Sequence, residues 1–283
     1  MNRKFAVLGS PIEHSKSPLI HAAAYRVLGE DWEYTRHEVA RGGLKRFIEN
    51  DEGIHSGFSV TMPLKENAFQ FAAETDELSK LAKASNTLSL QDGIWKAFNT
   101  DIFGITQAVS LALSNLKRES IRKSLVIGSG ATCTSALVAI SKLAPGSSVK
   151  IYARNSRTRA QQIDFASSLG LDASRGLFLG RCIGEADLTI STLPGGALDE
   201  NAARFAKRAK FVPGGLLLDV AYHPWPSKLA NFWSARNRPV VSGLEMLIWQ
   251  AVAQIRIFKF GNPEQYLPNE IAVIEAMRNA VAE

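Results

Sequence analysis

Short runs of consecutive apolar residues alternate along the chain with amphipathic segments, a pattern typical of buried parallel strands joined by helices. In the N-terminal third, Pro18 and Pro63 mark helix starts, because proline is tolerated in the first turn of a helix. The predicted elements there are strands at FAVLGSP, WEYTRHEV and GFSVTMP, and helices over about 19–27, at LKRFIEN and from Leu64. This β-α alternation favours a parallel sheet covered by helices.

A second alternating series follows a helical segment from Ile105 to about Leu116. Its predicted strands are SLVIGSG, SSVKIYARN, DLTISTLP, GLLLDVAY and PVVSG, with a helix at TSALVAISKLA between the first two. This pattern is typical of a doubly wound domain, in which the carboxyl ends of the strands line a ligand crevice. From Glu245 the apolar residues return to helical spacing, and a last helix is predicted after Pro268.

The length and composition indicate an ordinary globular protein of about two domains. The chain has 283 residues, of which 46% are hydrophobic and 21% charged. Its apolar runs are shorter than the roughly 18 residues that span a bilayer, and the five-residue apolar stretch before Ser10 is too short for a secretory signal. We therefore expect a cytoplasmic protein with no membrane partner. Cys133 and Cys182 fit no Cys/His ligand pattern, so we expect two free thiols and no metal.

The net charge of +6 is compatible with nucleic acid, an anionic surface or an anionic small molecule as partner. The basic residues are scattered, and the densest cluster, from Lys117 to Lys123, is interrupted by Glu119. A mixed cluster of this kind is typical of a solvated face, and the chain has no basic patch with aromatic residues that would stack on bases. We therefore expect a small-molecule partner and no nucleic acid.

A glycine loop lies directly between a predicted strand and a predicted helix, in VIGSGATC. Gly128 would permit a tight turn, and Gly130 would let the backbone approach a pyrophosphate at the amide groups of the helix N-terminus. Cys133 replaces the third glycine of the G-x-G-x-x-G pattern, and a small residue there still allows close packing of helix and strand. The loop is therefore either a dinucleotide site or a structural turn.

The next strand end indicates which dinucleotide would bind. An NAD site usually has an acidic residue there for the ribose 2′-hydroxyl, whereas this chain has Arg154, Asn155, Arg157 and Arg159. Guanidinium groups favour a 2′-phosphate by charge and by bidentate hydrogen bonding. The pattern therefore favours NADP over NAD, and the alternative is a basic loop that faces solvent.

Several polar residues of the N-terminal third could serve a ligand or only the fold. The hydroxyls of Ser15 and Ser17 could point at one carboxylate, or one of them could cap the next helix. Thr61 and Lys65 stand four apart where a strand turns into a helix, and Asn86 lies in SNT. Taken singly, each has an ordinary explanation as a cap, a turn residue or a solvated charge.

Together, these residues resemble the shikimate dehydrogenase family. The resemblance covers nearly the whole chain, since the family's motifs occur in the family's order. The matching segments are GSPIEHSKSP, SVTMPLK, ASNT, FNTD, the glycine loop, DVAYHPWP and SGLEMLIWQA. The resemblance implies reversible reduction of 3-dehydroshikimate to shikimate with NADPH, in the biosynthesis of aromatic amino acids.

The resemblance also implies the domain organisation. It implies an N-terminal α/β catalytic domain that binds the substrate over residues 1–104, completed by the helices of residues 245–283. Residues 105–244 would form a Rossmann-type doubly wound domain that binds NADP. We expect the protein to be a monomer or a homodimer.

Carried onto this chain, the resemblance implies a role for each matching residue. Lys65 and Asp101 would form the catalytic pair. The residues implied to hold the substrate carboxylate are Ser15, Ser17, Thr61 and Tyr222, and those implied to bind the ring hydroxyls are Asn86, Asp101 and Gln250. The residues implied to hold the cofactor are Gly128, Ser129, Gly130, Ala131 and Thr132 at the pyrophosphate, Arg154, Asn155 and Arg157 at the adenosine phosphate, and Gly243 beside the nicotinamide.

Three motifs depart from the family's usual pattern. Ser59 stands where the family commonly has asparagine in G-x-N-V-T-x-P. Ala131 and Thr132 end a glycine loop that often reads G-A-G-G-A, and Arg154 precedes Asn155 where the family has N-R-T.

Two other functions remain open beside shikimate dehydrogenase. An NAD-linked quinate/shikimate dehydrogenase is disfavoured because no acidic residue follows the second Rossmann strand. A non-catalytic nucleotide-binding regulator of the same fold is disfavoured because Lys65 and Asp101 are both present. Reduction of a ketone places negative charge on its oxygen, and a positioned ammonium such as that of Lys65 can stabilise this charge and donate a proton.

Overall fold

A computed structural model of the chain describes residues 3–51, 53–117 and 120–282. The chain folds into two compact units, one from residues 1–104 and 247–283 and the other from residues 105–246. Of the basic cluster that the sequence shows at 117–123, residues 118 and 119 lie outside the described part. Within the described ranges, no helix is long and apolar enough to cross a membrane.

The first unit begins with strands and helices that alternate, as the apolar pattern predicts. Its strands are β1 (Arg3–Gly9), β2 (Trp32–Glu38), β3 (His55–Val60), β4 (Glu74–Thr75), β5 (Thr87–Gln91) and β6 (Ile94–Phe98). Its helices to this point are α1 (Ser17–Leu28), α2 (Leu44–Glu49), α3 (Lys65–Phe71) and α4 (Glu77–Ala82), and α5 (Asp101–Asn115) follows.

The sheet of this unit is mixed and not parallel throughout, which differs from the expectation. Its strand order is β2-β1-β3-β5-β6-β4, and β5 runs antiparallel to both β3 and β6. The pattern analysis does not predict β4, β5 or β6. The hairpin of β5 and β6 is closed by Asp92 and Gly93, both with positive φ, as a two-residue type I′ turn requires. This Asp-Gly pair is the sequence signal that would have predicted the hairpin.

The core of the first unit lies between this sheet and its helices. The central strand β1 is apolar and buried from Phe5 to Gly9, as expected for a strand covered on both faces. Phe58 on β3 is fully buried and stacks on Trp95 of β6, with ring centroids 5.4 Å apart. This packing holds the central strands in register, so the loops at their carboxyl ends occupy defined positions.

The second unit is the doubly wound domain that the second alternating series predicts. Its strands are β7 (Lys123–Ile127), β8 (Ser148–Tyr152), β9 (Asp172–Arg175), β10 (Leu188–Ser191), β11 (Leu216–Asp219) and β12 (Val240–Ser242). Its further helices are α6 (Ala131–Leu143), α7 (Ser156–Ser168), α8 (Leu179–Glu185), α9 (Asp199–Ala206) and α10 (Lys228–Ser234). The sheet is parallel with the order β12-β11-β10-β7-β8-β9, so the topological switch point lies between β7 and β10. Cys133 and Cys182 are free and buried.

Two C-terminal helices follow, α11 (Gly243–Phe260) and α12 (Glu270–Asn279). They are joined by a buried ion pair in which Arg256 donates from Nε and Nη2 to the two carboxylate oxygens of Glu270, at 2.8 and 2.5 Å. The third Arg256 nitrogen, Nη1, donates to the carbonyl oxygen of Pro263 at 2.9 Å. The Arg256 guanidinium also lies 4.4 Å from the ring centroid of Tyr266. Each of the three nitrogens of this buried charge therefore donates to an acceptor, and the group also lies against an aromatic ring.

We expect the substitution Arg256→Ala to lower the free energy of unfolding by about 3–5 kcal/mol, because it leaves the Glu270 carboxylate buried without its partner. Urea denaturation followed by tryptophan fluorescence measures this loss. Lys45→Ala is the matched control, since the ion pair of Lys45 with Glu49 is exposed and its removal should change the free energy by less than about 0.5 kcal/mol. Equal effects of the two substitutions would contradict the prediction.

Candidate active site

The antiparallel β5 brings distant parts of the first unit to one edge of the sheet. β1 and β3 end at this edge, and β5 begins there because it runs in the opposite direction. The register pairs Ser59 of β3 with Thr87 of β5, and Thr87 with Phe98 of β6. Thr61, Asn86 and the residues after Phe98 therefore meet at the same edge, where an α/β sheet commonly binds its ligand.

Lys65 and Asp101 form an ion pair at this edge, and the Lys65 Nζ donates to the Asp101 Oδ2. Both side chains are largely buried, with 13% and 6% of their surface exposed. Lys65 is the first residue of α3 and Asp101 is the first residue of α5. A carboxylate is favoured at a helix N-terminus, whereas an ammonium is disfavoured there, so the charge of Asp101 offsets an unfavourable position of Lys65. A charged side chain at a position that disfavours its sign of charge is typical of a functional site.

Asn86 lies at the centre of a buried set of hydrogen bonds. Its Oδ1 accepts from the backbone amide of Thr100 at 2.8 Å, which fixes the orientation of the side-chain amide, because a backbone N–H can only donate. The Nδ2 therefore faces the Asp101 Oδ1 at 2.9 Å and the Gln250 Oε1 at 3.1 Å. Gln250 on α11 is fixed in the same way, since its Nε2 donates to the carbonyl oxygen of Leu247 at 2.8 Å. The predicted residues Asn86, Asp101 and Gln250 thus form one contiguous polar surface.

The remaining residues predicted for the substrate in this unit lie on the loops that follow β1 and β3. Ser15 is half-buried, and its Oγ accepts from the backbone amide of Ser17 at 3.3 Å, which leaves the Ser15 proton free to donate. Ser17 is buried at the first residue of α1. Thr61 is half-buried beside Gly9, where a Cβ would lie 2.3 Å from the Thr61 Cγ2. A glycine at the end of β1 is therefore required to make room for Thr61.

Three residues of this region were not predicted as site residues: Tyr34, Ser59 and Gln254. Their side chains are buried and hydrogen-bonded to one another behind Asn86. Two spacings could have indicated them. Ser59 precedes Thr61 by two positions and shares its face of β3, and Gln254 follows Gln250 by one helical turn in an otherwise apolar stretch.

The glycine loop of the second unit connects β7 to α6. Gly128 has φ +128°, and a Cβ there would lie 2.2 Å from the Thr192 Oγ1, so both conformation and space require glycine. A Cβ at Gly130 would meet no atom within 4 Å, and Gly130 is exposed. Ala131 and Thr132, both half-buried, form the first turn of α6, and no side chain caps this N-terminus. The loop thus leaves open space at the positive end of a helix, which fits a pyrophosphate.

The basic segment predicted for the adenosine phosphate lies at the carboxyl end of β8, the strand next to β7. Arg154 and Arg157 are exposed, and the Asn155 Oδ1 caps α7 by accepting from the backbone amides of Arg157 and Thr158 at 3.0 and 3.1 Å. Arg159 donates to the carbonyl oxygen of Ala153 at 2.6 Å and therefore supports the segment itself.

The glycine loop and the basic segment are tied together. The Ser129 Oγ lies 2.9 Å from the Thr158 Oγ1 at the start of α7. The two exposed guanidinium groups therefore stand on a segment held against the glycine loop. This donor set fits a dinucleotide with a 2′-phosphate.

Gly243 and Tyr222 also lie in the second unit. Gly243 begins α11, and a Cβ there would lie 2.0 Å from the carbonyl oxygen of Val220, so glycine is required by the close approach of the chain after β11. Tyr222 is half-buried in the loop that follows β11. Both are therefore at the carboxyl edge of the second sheet, on the β11 side of the switch point.

Comparison with known proteins decides the family. Residues 7–88 match the family model of the shikimate dehydrogenase substrate binding domain. The crystal structure of Mycobacterium tuberculosis shikimate dehydrogenase is 34% identical, with a TM-score of 0.84 over 99% of this chain and 99% of that chain. The chain belongs to the shikimate dehydrogenase family. The resemblance carried by the motifs and the predicted two-part α/β fold are thereby confirmed.

Other members of the shikimate dehydrogenase family agree with this assignment over most of their length. Shikimate dehydrogenase (NADP(+)) of Methanothermobacter thermautotrophicus is 28% identical over 261 residues, which is 91% of this chain and 91% of that protein. The crystal structure of Thermus thermophilus shikimate 5-dehydrogenase in complex with NADP(H) and shikimate is 25% identical, with a TM-score of 0.78, over 99% of this chain and 100% of that chain.

Proposed function

We propose that the protein is a shikimate dehydrogenase, an NADP-dependent oxidoreductase that acts on a CH-OH group. It catalyses the reversible reduction of 3-dehydroshikimate to shikimate with NADPH, in the biosynthesis of aromatic amino acids. The observation that carries this proposal is the ion pair of Lys65 and Asp101, largely buried against the amide groups of Asn86 and Gln250. The names of the relatives support the substrate and the cofactor.

Lys65 is the acid/base group for the substrate oxygen that is a ketone in 3-dehydroshikimate and a hydroxyl in shikimate. Reduction of a ketone places negative charge on its oxygen, which a neighbouring ammonium stabilises and protonates. In the reductive direction Lys65 donates a proton to this oxygen, and in the oxidative direction its amine accepts the hydroxyl proton. The Asp101 carboxylate holds the Lys65 Nζ in place by their hydrogen bond. NADPH, when bound, supplies the hydride.

The polar residues around the pair bind and orient the substrate. Ser15, Ser17 and Thr61 supply hydroxyl donors suited to a carboxylate. The family resemblance assigns Tyr222 to the same carboxylate. Asn86, Asp101 and Gln250 supply amide and carboxylate groups that can exchange their mutual hydrogen bonds for bonds to ring hydroxyls. Because these groups are buried, an analogue that lacks a hydroxyl would leave one of them unpaired, which costs binding free energy.

The second unit holds NADP through its glycine loop and basic segment. The pyrophosphate is bound by Gly128, Ser129, Gly130, Ala131 and Thr132. Arg154, Asn155 and Arg157 would hold the 2′-phosphate, and Gly243 would leave room for the nicotinamide. The support for this assignment is the open space at Gly130 and the two exposed guanidinium groups.

The proposal is tested by offering shikimate and quinate, each with NADP and with NAD, and following absorbance at the nicotinamide band. We expect turnover of shikimate with NADP to exceed the other three combinations clearly. Faster turnover with quinate and NAD would establish the NAD-linked quinate/shikimate dehydrogenase instead. Nucleotide binding without turnover in any combination would indicate a regulator of the same fold.

The assembly and location of the protein belong to the same proposal. The protein would act as a monomer or homodimer in the cytoplasm, on a small molecule and without a membrane partner. The scattered basic residues support the absence of a nucleic-acid partner. Size-exclusion chromatography with light scattering distinguishes the monomer from the homodimer.

A further inference from the structure

A chain of buried polar side chains lies behind the predicted substrate contacts in the first unit. Its members are Tyr34 on β2, Ser59 on β3 and Gln254 on α11, with 9%, 5% and 1% of their surface exposed. The Tyr34 hydroxyl lies 2.6 Å from the Ser59 Oγ, and the Ser59 Oγ lies 2.8 Å from the Gln254 Oε1. A side-chain network this deep in a core specifies one arrangement, because an unpaired member would cost free energy.

The direction of each hydrogen bond in this chain follows from one backbone group. The Gln254 Nε2 lies 3.2 Å from the backbone carbonyl oxygen of Asn86. Because a carbonyl oxygen can only accept, the NH2 group of Gln254, and not its oxygen, faces Asn86. The Gln254 Oε1 therefore faces Ser59, and the single proton of Ser59 is donated to it. Since Ser59 already donates its only proton to Gln254, the Tyr34 hydroxyl must donate to the Ser59 Oγ.

One end of the chain reaches the predicted catalytic pair through two further donors. The Gln254 Nε2 also donates to the Thr87 Oγ1 at 3.0 Å, and this hydroxyl donates to the Asn86 Oδ1 at 3.1 Å. The Asn86 Nδ2 in turn donates to the Asp101 Oδ1 at 2.9 Å. Each hydrogen bond between Tyr34 and Asp101 is thus donated in the direction of Asp101, and each one polarises the next.

The other end of this series of hydrogen bonds is the hydroxyl of Tyr34 on β2. Burial raises the pKa of Tyr34 above its ordinary range, and hydrogen bonds of its hydroxyl with Ser59 and with Ser17 partly offset this rise. The Tyr34 ring is held by His21, which stacks on it with ring centroids 3.9 Å apart at 17°. The Tyr34 hydroxyl is therefore held in place by the stacked ring of His21 and by its hydrogen bond to Ser59.

We propose that Tyr34, Ser59 and Gln254 are positioning residues, which hold Asn86 and, through it, Asp101 in the geometry that shikimate requires. This inference rests on the proposed function. The three residues act through the predicted substrate contacts, and the presence of serine at position 59 is explained by its place between a phenol donor and an amide acceptor.

The test compares Tyr34→Phe and Gln254→Met with the wild-type protein. Each substitution preserves size and removes the hydrogen bonds, and the loss of a buried hydrogen bond corresponds to about a tenfold effect. We therefore expect kcat/KM for shikimate to fall about tenfold or more in Gln254→Met, and several-fold in Tyr34→Phe. The KM for NADP should stay within about twofold in both, because the chain lies in the first unit and the glycine loop lies in the second.

Tyr25→Phe is the matched control. Tyr25 is also a buried tyrosine of this unit, and its hydroxyl lies 3.1 Å from the His21 Nδ1. His21 stacks on the Tyr34 ring, so Tyr25→Phe removes a hydrogen bond next to the series that leads to Asn86 without breaking one of its links. The Tyr25→Phe variant should lower the midpoint temperature of unfolding about as much as Tyr34→Phe does, and it should leave the shikimate KM unchanged. If Gln254→Met does not fold, the comparison of the two tyrosine variants decides alone.

Two results overturn the inference, and they are distinguishable. If the wild-type protein does not turn over shikimate, the proposed function fails and the inference fails with it. If the wild-type protein is active and Tyr34→Phe changes stability but neither kcat nor the shikimate KM, the hydrogen bonds of Tyr34, Ser59 and Gln254 serve only the stability of the fold.

Discussion

Lys65→Ala and Asp101→Asn are each expected to lower kcat for shikimate by about a hundredfold or more, because each removes a member of a positioned acid/base pair. Lys65→Ala removes the group that donates the proton, and Asp101→Asn removes the charge that holds Lys65 in place. The KM for NADP should change little, since the glycine loop and the basic segment remain intact. Initial rates of nicotinamide reduction at saturating shikimate and NADP measure both effects.

Lys96→Ala is the matched control for Lys65→Ala. Lys96 lies in the same unit, on β6, and its ion pair at 3.0 Å is with Glu74 of the edge strand β4. We expect its kcat to equal that of the wild-type protein within about twofold. Turnover near the wild-type level in both Lys65→Ala and Asp101→Asn would show that the reaction does not use this pair.

The double substitution Arg154→Ala and Arg157→Ala is expected to lower the preference for NADP over NAD by about a hundredfold or more. Hydrogen bonds to charged groups contribute about 1.5–3 kcal/mol each, and two guanidinium groups facing one phosphate would be lost. The effect should appear in the KM for NADP and leave the KM for NAD nearly unchanged, because NAD has no 2′-phosphate. The ratio of kcat/KM for the two cofactors measures it.

Arg181→Ala serves as the control for a general effect of positive charge. Arg181 is exposed in the second unit and forms an ion pair with Glu185 at 2.7 Å, so its removal changes the net charge without touching the basic segment. The cofactor preference of this variant should equal that of the wild-type protein. A wild-type preference for NAD, or an unchanged preference in the double variant, would refute the role of the basic segment.

The cofactor loop could be predicted from sequence because its chemistry is local. The strand, the glycine turn and the helix N-terminus lie within about ten consecutive residues, and the structure shows why Gly128 must be glycine. The acidic residue that an NAD site would need is absent from the next strand end, which is also visible in the sequence. The structure adds that Arg159 supports the backbone, so the exposed charge is that of Arg154 and Arg157.

The mixed sheet of the first unit was harder to predict, because no helix separates β5 from β6 and the two strands therefore depart from the β-α repeats. The Asp92-Gly93 turn was the local signal for them. Without the hairpin, nothing indicates that Asn86 and Asp101 lie side by side. Their resemblance to family motifs identified them, and the antiparallel pairing explains their proximity.

By itself, the sequence determined the doubly wound second unit, the glycine loop, the basic segment and, through its ordered motifs, the family. These features depend on neighbouring residues or on the order of short segments. Only the tertiary structure decided that Lys65 is paired with Asp101 and that Tyr34, Ser59 and Gln254 form a directed chain to Asn86. Such contacts join residues up to 195 positions apart, and they depend on strand register and helix packing, which no local pattern specifies.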